Sequence, residues 1–107
     1  MVDALQVFTT VDDRDVAERI ANALISRRLA ACVQIMGPVT SVYRWQGKVE
    51  TSPEWLCIIK TQQSRYPTVE AAIRELHTYQ VPEIVAVPIV AGAAGYLAWL
   101  RQETSED

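Results

Sequence analysis

Two hydrophobic periods alternate along the chain. Leu5-Gln6-Val7-Phe8-Thr9-Thr10 is a short β-prone run. From Val16 the spacing changes. Val16, Ile20 and Leu24 recur every fourth residue, and Ala17, Ala21 and Ala23 fill the same side. That spacing predicts an amphipathic helix of about four turns. Asp12 or Asp13 offers its N-cap, and Asp12 with Asp15 resembles a capping box. Arg27 and Arg28 lie at its negative end. Strand spacing resumes at Ala31–Met36, bends or bulges at Gly37-Pro38, and continues over Val39–Trp45. Gln46-Gly47 predicts a tight turn with Gly47 at positive φ. Lys48–Thr51 returns, Pro53 interrupts, and Glu54–Thr61 reads as the next strand. Alternation places Trp55, Cys57 and Ile59 on one face and Glu54, Leu56, Ile58 and Lys60 on the other.

Pro67 suits the first turn of a second helix, whose apolar stripe is Val69, Ala72, Ile73 and Leu76. His77 closes that helix, and Tyr79–Pro82 forms the exit. Glu83–Val87 reads as a fourth strand, placed at a sheet edge because Pro88 cannot donate to a ladder. Gly92–Gly95 predicts a turn, Tyr96–Leu100 a last short helix, and Glu103–Asp107 a frayed polar tail. Ile84–Leu100 is uncharged over 17 residues, near the minimum for a bilayer span. Pro88, Gly92 and Gly95 divide it into strand, turn and helix, so no membrane span is expected.

The order β-α-β-β-α-β, followed by a helix, predicts one α+β domain over residues 1–107. Right-handed crossovers give a split, ferredoxin-like sheet with spatial strand order 4-1-3-2 and both crossover helices on one face. The opposite face has no cover, although the third strand is apolar on both sides apart from Glu54 and Lys60. The second strand forms a long β-rich edge. Together these features predict association between copies of the chain.

Composition narrows the function. The 107 residues carry a formal net charge of −3 and a pI near 5.1. The ten basic residues are scattered, so no nucleic-acid surface is expected. Cys32 and Cys57 have no C-x-x-C spacing. They read as reduced thiols of a cytoplasmic protein. Asp3 interrupts the N-terminus, and no basic stretch precedes an apolar run there, so no targeting segment is visible.

Several ordered motifs resemble one family. They are Ala30-Ala31-Cys32-Val33, Ser41-x-Tyr43-x-Trp45-x-Gly47-Lys48-Val49-Glu50, Ile59-Lys60-Thr61, His77-x-Tyr79-x-x-Pro82-Glu83-Ile84 and Tyr96-Leu97-x-Trp99-Leu100. Over roughly Val7–Leu100 the chain is similar to the CutA family, named for divalent-cation tolerance. The resemblance implies a cytoplasmic, PII-like homotrimer associated with tolerance of copper and other divalent ions. It brings no enzymatic reaction. Family members with a proposed copper site use a cysteine at the end of strand one and two adjacent histidines at the end of helix two. The matching positions here are Thr9 and Leu76-His77, so His77 alone is retained.

The candidate metal ligands are His77 and Cys32, since imidazole and thiolate select copper. Cys57 and the thioethers of Met1 and Met36 complete the soft donors, and the competing reading is that Cys32 and Cys57 are small buried hydrophobes inside strands. Lys60, Tyr79 and Glu83 are candidate ligand-binding residues. With His77 they are expected to converge at one sheet end, holding an anion or a metal-bound ligand, or forming a structural network such as Lys60 with Glu83. Tyr43, Trp45 and Trp55 are expected to anchor the trimer interface. No phosphate-binding glycine loop, nucleophile elbow or H-E-x-x-H is present, and an enzyme is not expected. The leading reading is a homotrimer binding divalent metal weakly, copper included. A PII-like trimer responding to a small ligand and a trimeric protein-interaction scaffold are the alternatives.

Overall fold

The structure, a computed structural model, describes residues 3–106. Met1, one of the thioether candidates, lies outside the described residues. Four strands form one sheet, β1 (Ala4–Val11), β2 (Cys32–Trp45), β3 (Lys48–Gln62) and β4 (Val85–Pro88). They lie in the order β2-β3-β1-β4 and pair antiparallel throughout. Helices α1 (Arg14–Ser26) and α2 (Tyr66–Leu76) connect them, and α3 (Ala94–Glu103) follows. This is the ferredoxin-like α+β arrangement expected from the element order, with β4 at an edge. No helix among the described residues is long and apolar enough to cross a membrane.

The core forms where the two periods meet. Val16, Ala17, Ile20 and Leu24 of α1 and Val69, Ala72 and Ile73 of α2 pack on Val7, Val11, Cys57 and Ile59 of the sheet. Asp13, not Asp12, caps α1, accepting the Asp15 amide at 2.8 Å. The capping box is not formed. One residue nearer the helix, Asp13 reaches the amide at N2.

Four features differ from the sequence reading. β3 runs unbroken through Pro53, which pairs with Thr40. Beyond Trp55, the partner of Val11, β3 has lost β1 as a neighbour. A proline is tolerated with one side of the strand unpaired. Residues 39–54 therefore form a two-stranded arm outside the four-stranded sheet. β4 begins two residues later than expected and includes Pro88, leaving Glu83 in the connection. α3 begins at Ala94, so Gly95 belongs to the helix rather than the turn. The tail is also anchored. Thr104 is fully buried, its hydroxyl donating to the Leu100 carbonyl and accepting from Gln62, while Glu106 pairs with Arg65 at 3.2 Å.

The Gly37-Pro38 bulge shifts the β2–β3 register between Met36 and Val39. Gln46 and Gly47, both at positive φ, close the hairpin. At Gly37 (φ +154°) an added Cβ would stand 2.7 Å from Cε3 of Trp55 and 3.0 Å from the Glu54 carbonyl oxygen. Gly37→Ala should therefore destabilise by about 1–3 kcal/mol, measured by urea denaturation. An unchanged midpoint would mean that the bulge relaxes freely.

Candidate functional site

Register assigns each candidate side chain to a face. Val7, Thr9 and Val11 of β1 and Cys57, Ile59 and Thr61 of β3 face the helices. The second face carries Phe8 and Thr10 from β1, Leu56, Ile58, Lys60 and Gln62 from β3, and Cys32, Gln34 and Met36 from β2. After the bulge, Ser41, Tyr43 and Trp45 of the arm share this face with Ser52, Glu50 and Lys48. α3 covers one corner of it, where Gln62 donates to the Arg101 carbonyl and the Lys60 ammonium stands 6.0 Å from the Tyr96 ring centroid.

A cleft of about 740 Å³ opens on the second face, between the arm and the α2–β4 connection. Tyr43, Trp45, Glu50 and Glu54 line one side, and Tyr79, Val81 and Glu83 the other. Glu54 is 6% exposed. Its Oε2 accepts the Tyr79 hydroxyl at 2.6 Å. Burial, this hydrogen bond and the negative charge of Glu54 all hold the phenol proton, pushing Tyr79 well above its usual range.

His77 pins the connection to the sheet. Its Nε2 lies 2.8 Å from the Thr10 carbonyl, and its Nδ1 accepts the Tyr79 amide at 3.1 Å. A carbonyl requires a donor and an amide an acceptor, so the ring is the Nε2–H tautomer. His77 and Tyr79 also meet edge-on, 4.8 Å between centroids.

The expected convergence is only partly realised. Tyr79 and Glu83 line the cleft and His77 contacts Tyr79 and the Thr10 carbonyl beside it, but Lys60 does not reach it. α2 leaves the C-terminal end of β3 and runs back along it, so the connection after α2 lies at the opposite end from Lys60. Lys60 instead donates to Gln34 at 2.9 Å, and no Lys60–Glu83 ion pair forms. Cys32 pairs with Lys60, whereas His77 touches Thr10, which pairs with Leu56. About 14 Å of strand separates the two positions, so Cys32 and His77 do not share a site within one chain. Thr9 faces the helices, fully buried. Among the described residues, no three His, Cys, Asp or Glu side chains gather as a metal centre.

Trp55 is also placed differently from Tyr43 and Trp45. It packs against the helix-side core, with the Arg14 guanidinium 5.2 Å from its ring centroid. Tyr43 and Trp45 remain exposed on the arm. Sequence reasoning missed Glu54 as a site residue. Its signal was a carboxylate set directly against an apolar strand.

The two thiols differ in kind. Burial pushes Cys57 from 9.0 up to about 11, whereas Cys32 is half-buried. A thiol reagent at neutral pH should leave Cys57 unlabelled in the folded chain and label it after denaturation. Stability should fall as pH rises from about 9 to about 11, because the folded chain keeps a proton that the unfolded chain releases. Cys57→Ala should flatten that part of the profile, followed by urea melts at each pH.

A ferredoxin-like domain whose second face is covered by α3 at one corner, with an acidic, aromatic cleft under a projecting arm, defines the class of this protein. Residues 5–103 match the family model described as CutA1 divalent ion tolerance protein, and the chain belongs to that family. The Divalent-cation tolerance protein CutA of Thermus thermophilus is 48% identical over 98 residues, spanning 92% of this chain and 95% of the relative. Protein CutA of Homo sapiens is 43% identical over 97 residues, but the match spans only 54% of that relative. The crystal structure of CutA1 from Oryza sativa superposes with a TM-score of 0.94 at 42% identity, covering 99% of this chain and 97% of the other.

Proposed function

We propose that the protein works as a cytoplasmic homotrimer in divalent-metal tolerance, binding metal ions weakly, copper among them, and catalysing no reaction. The observation that carries the assembly is the second face, where Met36 is 53% and Val85 50% exposed beside Phe8, Leu56, Ile58 and Val87. A sheet face of this composition is covered when copies pack together. Tyr43 and Trp45, on the same side of the arm, anchor the contact. Metal involvement is supported by the names of the family and of its relatives. Weak binding suits a chain in which both His77 nitrogens already have partners. The two free cysteines support a reducing compartment.

Light scattering coupled to gel filtration should give three copies per particle at micromolar concentration. Titration of copper and zinc by calorimetry should give saturable heat, reduced in His77→Ala and Cys32→Ala. No saturable heat below millimolar metal, from an intact trimer, would overturn the metal reading and leave the assembly standing.

The cleft itself favours a second reading, a trimer that responds to a small ligand. Its volume lies within the usual range for small-molecule sites, about 300–1,000 Å³. Thermal stabilisation by a small cationic ligand, lost in Glu83→Ala, is its distinguishing result.

A further inference from the structure

The second face holds a carboxylate and an ammonium that one chain cannot match to each other. Glu54 is 94% buried by its 6% exposure, and its hydrogen bond engages Oε2 alone, with the Tyr79 hydroxyl. Among the described residues no Lys, Arg or His stands within ion-pair distance of it. A buried carboxylate without a cation is costly. Lys60, half-buried on the same face, has only the neutral Gln34 amide oxygen and the Tyr96 ring. It too lacks an opposite charge among the described residues. The two sit six positions apart on one strand, about 20 Å, and cannot meet within a subunit. Arg44, which also lines the cleft, pairs with Val49 and so belongs to the other side of the arm from Glu50 and Tyr43.

We propose that Lys60 of the partner subunit enters the cleft and ion-pairs with Glu54, completing a site to which two copies contribute. The proposal rests on the trimeric reading above. A three-fold ring has heterologous interfaces, in which one patch meets a different patch of the next copy. The negative cleft of Glu50, Glu54 and Glu83 and the unmatched ammonium are such a complementary pair of patches. Each contact around the ring uses the pair once. The grouping of Lys60 with Tyr79 and Glu83, which the topology forbids within a chain, is then assembled across the seam.

A zero-length carbodiimide tests the pairing directly, because it joins an ammonium and a carboxylate only at ion-pair distance. Copies grown in ordinary and in ¹⁵N medium are mixed as unfolded chains, refolded together and treated. The expected product is a peptide joining Lys60 to Glu54 with one light and one heavy half. Charge exchange supplies the second arm. Glu54→Lys and Lys60→Glu should each weaken assembly about 100-fold or more, and the double variant should recover most of the loss. Lys60→Met, which alters one solvent-edge group, should weaken assembly while keeping the circular dichroism of the folded chain. An assembled wild type with no mixed peptide, and with Lys60→Met assembling as tightly as wild type, overturns the pairing alone. A single-copy wild type overturns the trimeric reading and the pairing with it.

Discussion

Ile59→Ala should cost about 2–5 kcal/mol of folding stability. Ile59 is fully buried at the centre of the sheet, paired with Val7 on one side and Val33 on the other, beneath both crossover helices. No solvent reaches the vacated volume, and strands fixed by ladders on both sides cannot close it. Against a usual total of about 5–15 kcal/mol for a domain, one such truncation approaches the unfolding threshold. Urea denaturation reads the loss as a lower midpoint with an unchanged slope. Ile58→Ala, one residue along, removes a half-buried side chain from the second face. Under the proposed assembly its effect should depend on protein concentration, because copies would cover that face. Equal, concentration-independent losses for the two variants would mean that the faces are not different environments.

Tyr79→Phe should cost about 1.5–3 kcal/mol, the range for a hydrogen bond to a charged group. The substitution keeps the ring against His77 but removes the hydroxyl that donates to Glu54. A nearly enclosed carboxylate then loses its donor. Glu54→Gln restores neutrality, so the double variant should be less damaged than the sum of the two singles. Additive losses would place the two side chains in separate roles. The same contact sets an alkaline limit. The folded chain holds the Tyr79 proton above the usual phenol range, so stability falls as pH rises past 10, where the unfolded chain begins to release it. Tyr79→Phe should remove that component of the slope.

Much of this architecture was legible because each element has one strong period. The i, i+4 rhythm of Val16, Ile20 and Leu24 admits only a helix, and the alternation around Cys57 and Ile59 only a strand. Proline was the less reliable guide. At Pro88 it marked the edge correctly, but at Pro53 it suggested a break where the strand continues, because the rule concerns neighbours that sequence does not display. Thr104 looked like tail residue and is fully buried, since its polarity is satisfied by Leu100 and Gln62, the latter far away in sequence. The site was half legible. His77, Tyr79 and Glu83 are close in the chain and remain close in space. Lys60 was misplaced because the direction of α2, which residue spacing alone does not express, decides which sheet end the connection reaches. Glu54 was visible as a charge in an apolar strand, but its burial comes from the connection folding over it.

The double anchorage of His77 has a consequence for ion capture. A cation that coordinates Nδ1 must take that lone pair from the Tyr79 amide, and one that coordinates Nε2 must displace the proton held by Thr10. Occupancy therefore unfastens the segment leading into β4, whose four residues hang on β1 alone. Loading at this imidazole would report itself as faster amide exchange along that edge, far from any change in the core.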